Sequence, residues 1–201
     1  DQLWTELGTK LRAQLKKSEK NKLSSKIGKT ELINDFYKVF STNMRDLGTP
    51  VYSKKLFTNM LTSNPSASIC VVYRDNKAVS AGFVIGWKNT LEIPWASTLK
   101  KANKYNANMM LYWEILKYAQ NQGYKVFDFG RSSKDANTYK FKKQWGAKPY
   151  PLYWHYWLPE SHSLPKINPH NPKFRVMIAT WKQLPLWIAN NLGPFIVKSI
   201  P

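Results

Sequence analysis

The apolar residues of this chain change their spacing near residue 65, and that change limits the fold more than composition does. Before it, Leu32, Ile33, Phe36, Val39, Phe40, Met44 and Leu47 recur at helical spacing. Thr30 is placed to cap that helix, Glu31 stands in its first turn, and Gly48 stops it ahead of Pro50. Ser53 is placed to cap a shorter helix carrying Leu56, Phe57, Met60 and Leu61. After the change, residues 68–74 and 77–86 read as strands around an Asp75-Asn76 turn. A third strand is predicted over 90–97. Pro94 inside it demands a bulge or an edge position, because proline brings no N–H to a ladder.

Helical spacing returns from Asn106 or Asn108 to about Asn121, with Gly123 closing the helix. Residues 124–129 then read as a short buried strand, 138–144 as a short helix, and 150–158 as a last strand. The order helix, helix, three strands, helix, strand, helix, strand predicts an α+β fold, a sheet with an antiparallel meander and a crossover.

The ends are read separately. Leu3, Leu7, Leu11 and Leu15 form a narrow stripe on a basic helix, followed by a polar break over 24–29. Residues 1–29 are expected to be a basic helical linker from a missing upstream domain, 30–158 the main domain, and 159–201 a C-terminal loop and amphipathic helical tail. In the tail, a helix over 174–190 is expected to kink at Pro185, and Gly193-Pro194 to start a further apolar segment.

Charge enters where partners are considered. Lys plus Arg number 31 against 12 Asp plus Glu, a net charge of +19. Such a field attracts polyanions: nucleic acid, phosphorylated donors or anionic lipid headgroups. No apolar run reaches the ~18 residues of a membrane span. The single Cys70 has no internal disulfide partner and sits in a strand pattern, as a small buried hydrophobe would. His155, His162 and His170 lack metal spacing, so no metal is expected. His155 reads as a core or edge residue of its strand.

The chemistry concentrates in 124–146. A strand carrying Asp128 breaks at Gly130 into a polar loop with Arg131, Ser132, Ser133 and Asp135. A short helix, capped by Asn137 or Thr138, presents Tyr139, Phe141, Lys142 and Trp145 before Gly146. A strand that delivers polar groups to a loop and a cationic helix is a common active-site plan. Asp128 suits a general base, or equally a carboxylate bonded to backbone amides or to Arg131. Arg131 suits an anion ligand, or a structural ion pair. Asp128-Phe129-Gly130 spells a kinase triplet, but the chain has no glycine-rich phosphate loop and no H-R-D stretch.

Five stretches in one order carry a family resemblance: M-R-D-L-G-T-P-V from Met44, M-L-Y-W-E from Met110, F-D-F-G-R-S from Phe127, Y-K-F-K-K-Q-W-G from Tyr139, and the tail pieces N-P-K-F and L-G-P. Together they resemble the FemAB family, in particular the FemAB-like GNAT proteins of exosortase and exopolysaccharide systems. The resemblance implies a GNAT-like mixed, mostly antiparallel sheet flanked by helices. It implies transfer of an acyl or aminoacyl group to an amine of a peptidoglycan or polysaccharide precursor, in a cytoplasmic protein that can work at the inner membrane face. Phe141-Lys142 matches the family's F-K pair, which implies that Lys142 stabilises the transition state. Asp128 joins them as the third catalytic candidate, and Arg131, Tyr139 and Trp145 are the substrate-binding candidates.

The donor stays open between aminoacyl-tRNA and acyl-CoA. The glycine-rich phosphate loop of CoA-using GNAT proteins is replaced by K-K-A-N-K-Y-N-A-N-M-M from Lys100. There Lys100, Lys101, Lys104 and Asn106, beside a helix amino terminus, are the candidates for holding a donor's phosphates. Peripheral membrane contact through the tail is a further expectation. The alternatives are an acetyl-CoA-dependent N-acetyltransferase, a non-catalytic basic module of an envelope polysaccharide system, and a simple nucleic-acid binder.

Overall fold

The computed structural model describes residues 2–134, 136–159 and 172–198. The long apolar run of β2 (Ala67–Arg74) is buried on both faces because helices cover both sides of its sheet. Period-two alternation sorts its side chains. Ile69, Val71 and Tyr73 join one core, and Cys70 and Val72 join the other.

The first core lies under α3 (Ile33–Leu47) and α4 (Lys54–Ser63) and is built from rings. Phe57 stands edge-on to Phe36, Phe40 and Trp95 at centroid distances of 5.0, 5.1 and 5.1 Å. Such geometry adds to the area buried. The second core lies under α5 (Ala107–Asn121), where Leu111, Ile115 and Ala119 face the sheet one turn apart.

The sheet order is β1-β2-β3-β4-β5, from β1 (Leu23–Gly28) through β3 (Lys77–Trp87) and β4 (Thr90–Thr98) to β5 (Val126–Asp128). Every pair is antiparallel except β4 with β5, which are parallel and joined by the α5 crossover. This is the expected α+β architecture with its mixed, mostly antiparallel sheet. The turn between β2 and β3 forms as predicted, with Asp75 and Asn76 both at positive φ, 50° and 59°. Pro94 sits in a bulge, for the β3–β4 register slips between Phe83 and Ile85. Ser53 caps α4 by accepting from the Leu56 N–H at 3.2 Å, and Gly48 closes α3 at φ 82°.

Several expectations are corrected. Residues 24–29 are not a break: β1 adds an edge strand to the sheet, because Leu23–Gly28 finds a full antiparallel partner in β2. The stripe of Leu7, Leu11 and Leu15 is buried against Met109, Trp113 and Trp145, so α1 (Gln2–Glu6) and α2 (Thr9–Lys20) pack as part of the fold. Thr30 caps nothing. It opens a 3-10 turn, Thr30–Leu32, and the Glu31 carboxylate instead accepts the Lys29 N–H at 2.8 Å.

The strand expected over 124–129 shrinks to Val126–Asp128 and lies at the sheet edge, with Val126 55% exposed. No strand forms over 150–158, and its rings face solvent. His155 is therefore exposed, not a core residue. At Pro185 the tail splits into two helices, α7 (Pro172–Gln183) and α8 (Leu186–Val197), and Gly193-Pro194 lies inside α8. Most of the loop expected over 159–172, with His162 and His170, lies outside the described residues, as does Asp135.

Gly86 in β3 marks where the crossover returns. A Cβ there would meet the Tyr124 ring and hydroxyl, with Cζ at 2.6 Å. Gly86→Ala is expected to cost about 1–3 kcal/mol in urea unfolding. Adding Tyr124→Phe should return part of that loss, since it removes the atom nearest the new methyl.

Candidate active site

Strands β4 and β5 pair over only three positions, Thr90–Val126, Leu91–Phe127 and Glu92–Asp128. Past Glu92, β4 bulges and runs on to Thr98 against β3, while the chain after Asp128 turns away. The two parallel strands therefore part at their carboxyl ends. Two loops follow those ends on the same edge: 129–136 after β5 and the 3-10 turn Lys100–Tyr105 after β4. Ligands of open sheets with parallel strands collect at such an edge.

The loop after β5 is fixed by two contacts. The Asp128 carboxylate accepts the Gly130 N–H at 2.7 Å, a local turn that Gly130 permits at φ 71°. The Lys142 ammonium then donates to the carbonyls of Gly130 and Arg131, both at 2.8 Å. Burial pulls the Lys142 pKa below its ordinary value, and the Asp128 carboxylate opposes that shift. Two of the three ammonium N–H donors are thus committed to backbone, and the third has no partner among the described residues.

Lys142 is carried by α6 (Asn137–Gln144), whose amino-terminal neighbour Ala136, not Asn137 or Thr138, occupies the cap position. One face of α6 is anchored by rings. Phe141 meets Tyr112 edge-on at 4.9 Å, and Trp145, one turn on, lies 6.1 Å from Tyr112. Phe129 of the loop stacks on Tyr112 as well, at 5.7 Å and 11°. Phe141 and Trp145 therefore pack into a ring cluster with Tyr112, on and just after the helix that carries Lys142. Trp145 is buried against Leu7, Leu11 and Leu15, and its indole N–H has no hydrogen-bond partner among the described residues.

The remaining candidates scatter along the edge. Arg131 is exposed, with its guanidinium 5.3 Å from the Trp154 ring and no carboxylate partner among the described residues. The structural ion pair weighed for it is absent there. Tyr139 is half-buried on α6. Lys100, Lys101 and Lys104 are exposed, Lys104 beside the Tyr105 ring at 5.1 Å. Asn106 stands at φ 58° before α5, and its side-chain amide donates to the Gln14 carbonyl on α2 at 3.2 Å.

The 3-10 turn uses up amides that a phosphate loop would leave free. Ala102 N–H goes to Leu99 and Asn106 N–H to Asn103, while Met109 and Met110 N–H make the first-turn bonds of α5 to Asn106. The segment does not fit a full pyrophosphate cradle. Its lysines and the two unclaimed amides of Ala107 and Asn108 still suit an anion.

Residues 9–143 match the family model described as the acetyltransferase (GNAT) domain. The chain belongs to that family. Among solved structures, that of FemX superposes with a TM-score of 0.64 at 12% identity, over 73% of this chain and 55% of that one. An aminoglycoside acetyltransferase, meta-AAC0020 from an uncultured soil metagenomic sample in complex with sisomicin, gives 0.56 at 12% identity, over 70% and 99%. The aminoglycoside N-acetyltransferase AAC(6')-Iy in complex with CoA gives 0.54 at 7% identity, over 68% and 94%. At these identities the likeness is one of fold. No curated protein sequence matches the chain.

The sequence singled out Lys142 and its loop as candidates but did not show two supports of their position. Tyr112 joins the loop to α6, and its place in an M-L-Y-W-E helix gave no sign of that. The Leu7, Leu11 and Leu15 stripe was visible as a stripe, but its partner across α5 was not. Trp145→Ala is expected to cost about 3–5 kcal/mol, as large core truncations do. Urea unfolding checks this, and a loss under about 1 kcal/mol would mean that the cluster relaxes around the void.

Proposed function

We propose that this GNAT-family domain is an N-acyltransferase of the FemAB-like kind, passing an acyl or aminoacyl group to an amine of a cell-envelope peptidoglycan or polysaccharide precursor. One observation carries the reading. A half-buried ammonium, Lys142, is held against the loop at the carboxyl edge where β4 and β5 part.

In this reaction the acceptor amine attacks the acyl carbonyl carbon and a C–N bond forms. The carbonyl oxygen takes the negative charge. The C–O bond of an aminoacyl ester, or the C–S bond of a thioester, then breaks with its electron pair, and the amine proton passes to the leaving group. Lys142, with one N–H uncommitted among the described residues and its charge in a partly desolvated place, stabilises the oxyanion. The exposed Asp128 carboxylate takes the proton from the amine and hands it to the leaving group. Phe141 positions Lys142 through the ring cluster. Arg131 and Tyr139 line the approach of the acceptor, and Trp145 supports them from below. Most of the rate comes from positioning and charge stabilisation, with no covalent enzyme intermediate.

For the donor, the first reading is aminoacyl-tRNA. The amides consumed before α5, the exposed Lys100, Lys101 and Lys104, and the net charge of +19 suit a polyanion held by charge more than a pyrophosphate held by a loop. Acyl-CoA is the second reading, supported by the CoA-bound neighbour and the family match. A thermal-shift titration at two salt concentrations separates them. Stabilisation by charged tRNA that fades with salt supports the first, and saturable stabilisation by CoA replaces it with the second.

Lys142→Ala is expected to lower kcat/KM about 100-fold, as loss of one oxyanion donor does, with the unfolding transition retained. Because burial lowers the Lys142 pKa, its charge is lost at a lower pH than that of an exposed lysine. The wild-type rate should therefore fall on the alkaline side before ordinary lysines titrate. The residual rate of Lys142→Ala should lack that fall. An unchanged rate in Lys142→Ala would leave a non-catalytic basic module as the better account.

A further inference from the structure

The helix α8 carries no charged residue from Leu186 to Val197, in a chain where charged residues make up 21%. A helix apolar nearly all round is normally buried. Here only Ala189 and Gly193 are buried, while Trp187 is 68% and Phe195 72% exposed. The neighbouring α7 exposes Val176 and Met177 as well.

This display is not a loose tail. Gly193 lies so close to Val51 that a Cβ would stand 2.8 Å from its backbone nitrogen. Arg45 on α3 donates to the Leu184 carbonyl between the helices at 3.0 Å. Ile178 of α7 packs against Gly48. The fold holds the pair in place and presents its apolar side chains outward.

We propose that α7 and α8 form a docking surface for an anionic lipid bilayer, on which the domain sits without crossing. Charge selects the occupant. Arg175, Lys182 and Lys198 flank the apolar side chains, and the whole chain carries +19. An anionic surface is attracted by that field, whereas a second copy of the chain is repelled by it. Exposed Trp and Phe beside Lys is the composition of helices that lie in the membrane interface. Twelve residues of α8 span about 18 Å, well short of the ~30 Å hydrocarbon core. Among the described residues no helix is long and apolar enough to cross a membrane. The inference stands apart from the chemistry: its failure would leave the acyl-transfer reading intact, and the reverse.

The test is sedimentation of the 201-residue chain with vesicles of phosphatidylcholine, alone or mixed with phosphatidylglycerol. Wild type should sediment with the mixed vesicles and far less with the neutral ones. Trp187→Ser with Phe195→Ser, both at exposed positions, should bind the mixed vesicles at least about tenfold more weakly, as expected when two large rings no longer enter the apolar phase. A second readout does not depend on the fold of that variant. Vesicles with brominated acyl chains should quench wild-type tryptophan fluorescence, and Trp187→Phe should lose most of the quenching. Three results would each overturn the proposal: no sedimentation of wild type with mixed vesicles, equal binding and quenching in the variants, or a wild-type dimer in light scattering that the double variant abolishes.

Discussion

The candidate site depends on one helix being buried on two sides. Leu111, Ile115 and Ala119 of α5 press on the sheet, while Met109 and Trp113 press on α2 and Trp145. A helix clamped in this way cannot rotate without opening a core on one side or the other. Tyr112 sits between these faces and touches Phe129, Phe141 and Trp145. Through it, the position of α5 sets the positions of the loop after β5 and of the helix that carries Lys142. The basic amino-terminal helix thus supports the candidate site from a distance, as the outer half of the clamp.

Within that frame the local physics is economical. An ammonium on two backbone carbonyls, with the Asp128 carboxylate on the Gly130 N–H, fixes the loop and keeps a cation where β4 and β5 separate. Desolvation makes such a charge more effective on a neighbouring oxyanion than it would be in water. The other cations of the edge, Arg131 and the three lysines before α5, remain exposed and pair with no carboxylate among the described residues. They are free to meet an anionic partner.

The parts of the fold legible in the sequence were those with a local cause. The Asp75-Asn76 turn, the Ser53 cap, the Gly48 stop and the Pro94 bulge each follow from one or two residues. The family resemblance, resting on short motifs in order, led to the GNAT class that the family match shows. What failed had a non-local cause. Residues 24–29 look polar because an edge strand need bury little, and only pairing with β2 makes them a strand. Residues 150–158 have the ring content of a strand, but β5 is three residues long and offers little edge to extend. Phe141 read as a catalytic candidate and Trp145 as a substrate-binding one, and the packing of both on Tyr112 was not legible. The rings they pack on come from a helix some thirty positions earlier, which spacing along α6 does not reveal.

The account stands or falls on whether the domain makes an amide. The most direct measurement is mass spectrometry of an isotopically labelled peptidoglycan-stem amine after incubation with the folded chain and either a charged tRNA or acetyl-CoA. The account predicts a new amide from one of these donors, with the mass of the transferred group on the acceptor nitrogen. Unmodified acceptor with both donors, at protein concentrations where the unfolding transition is intact, would contradict it.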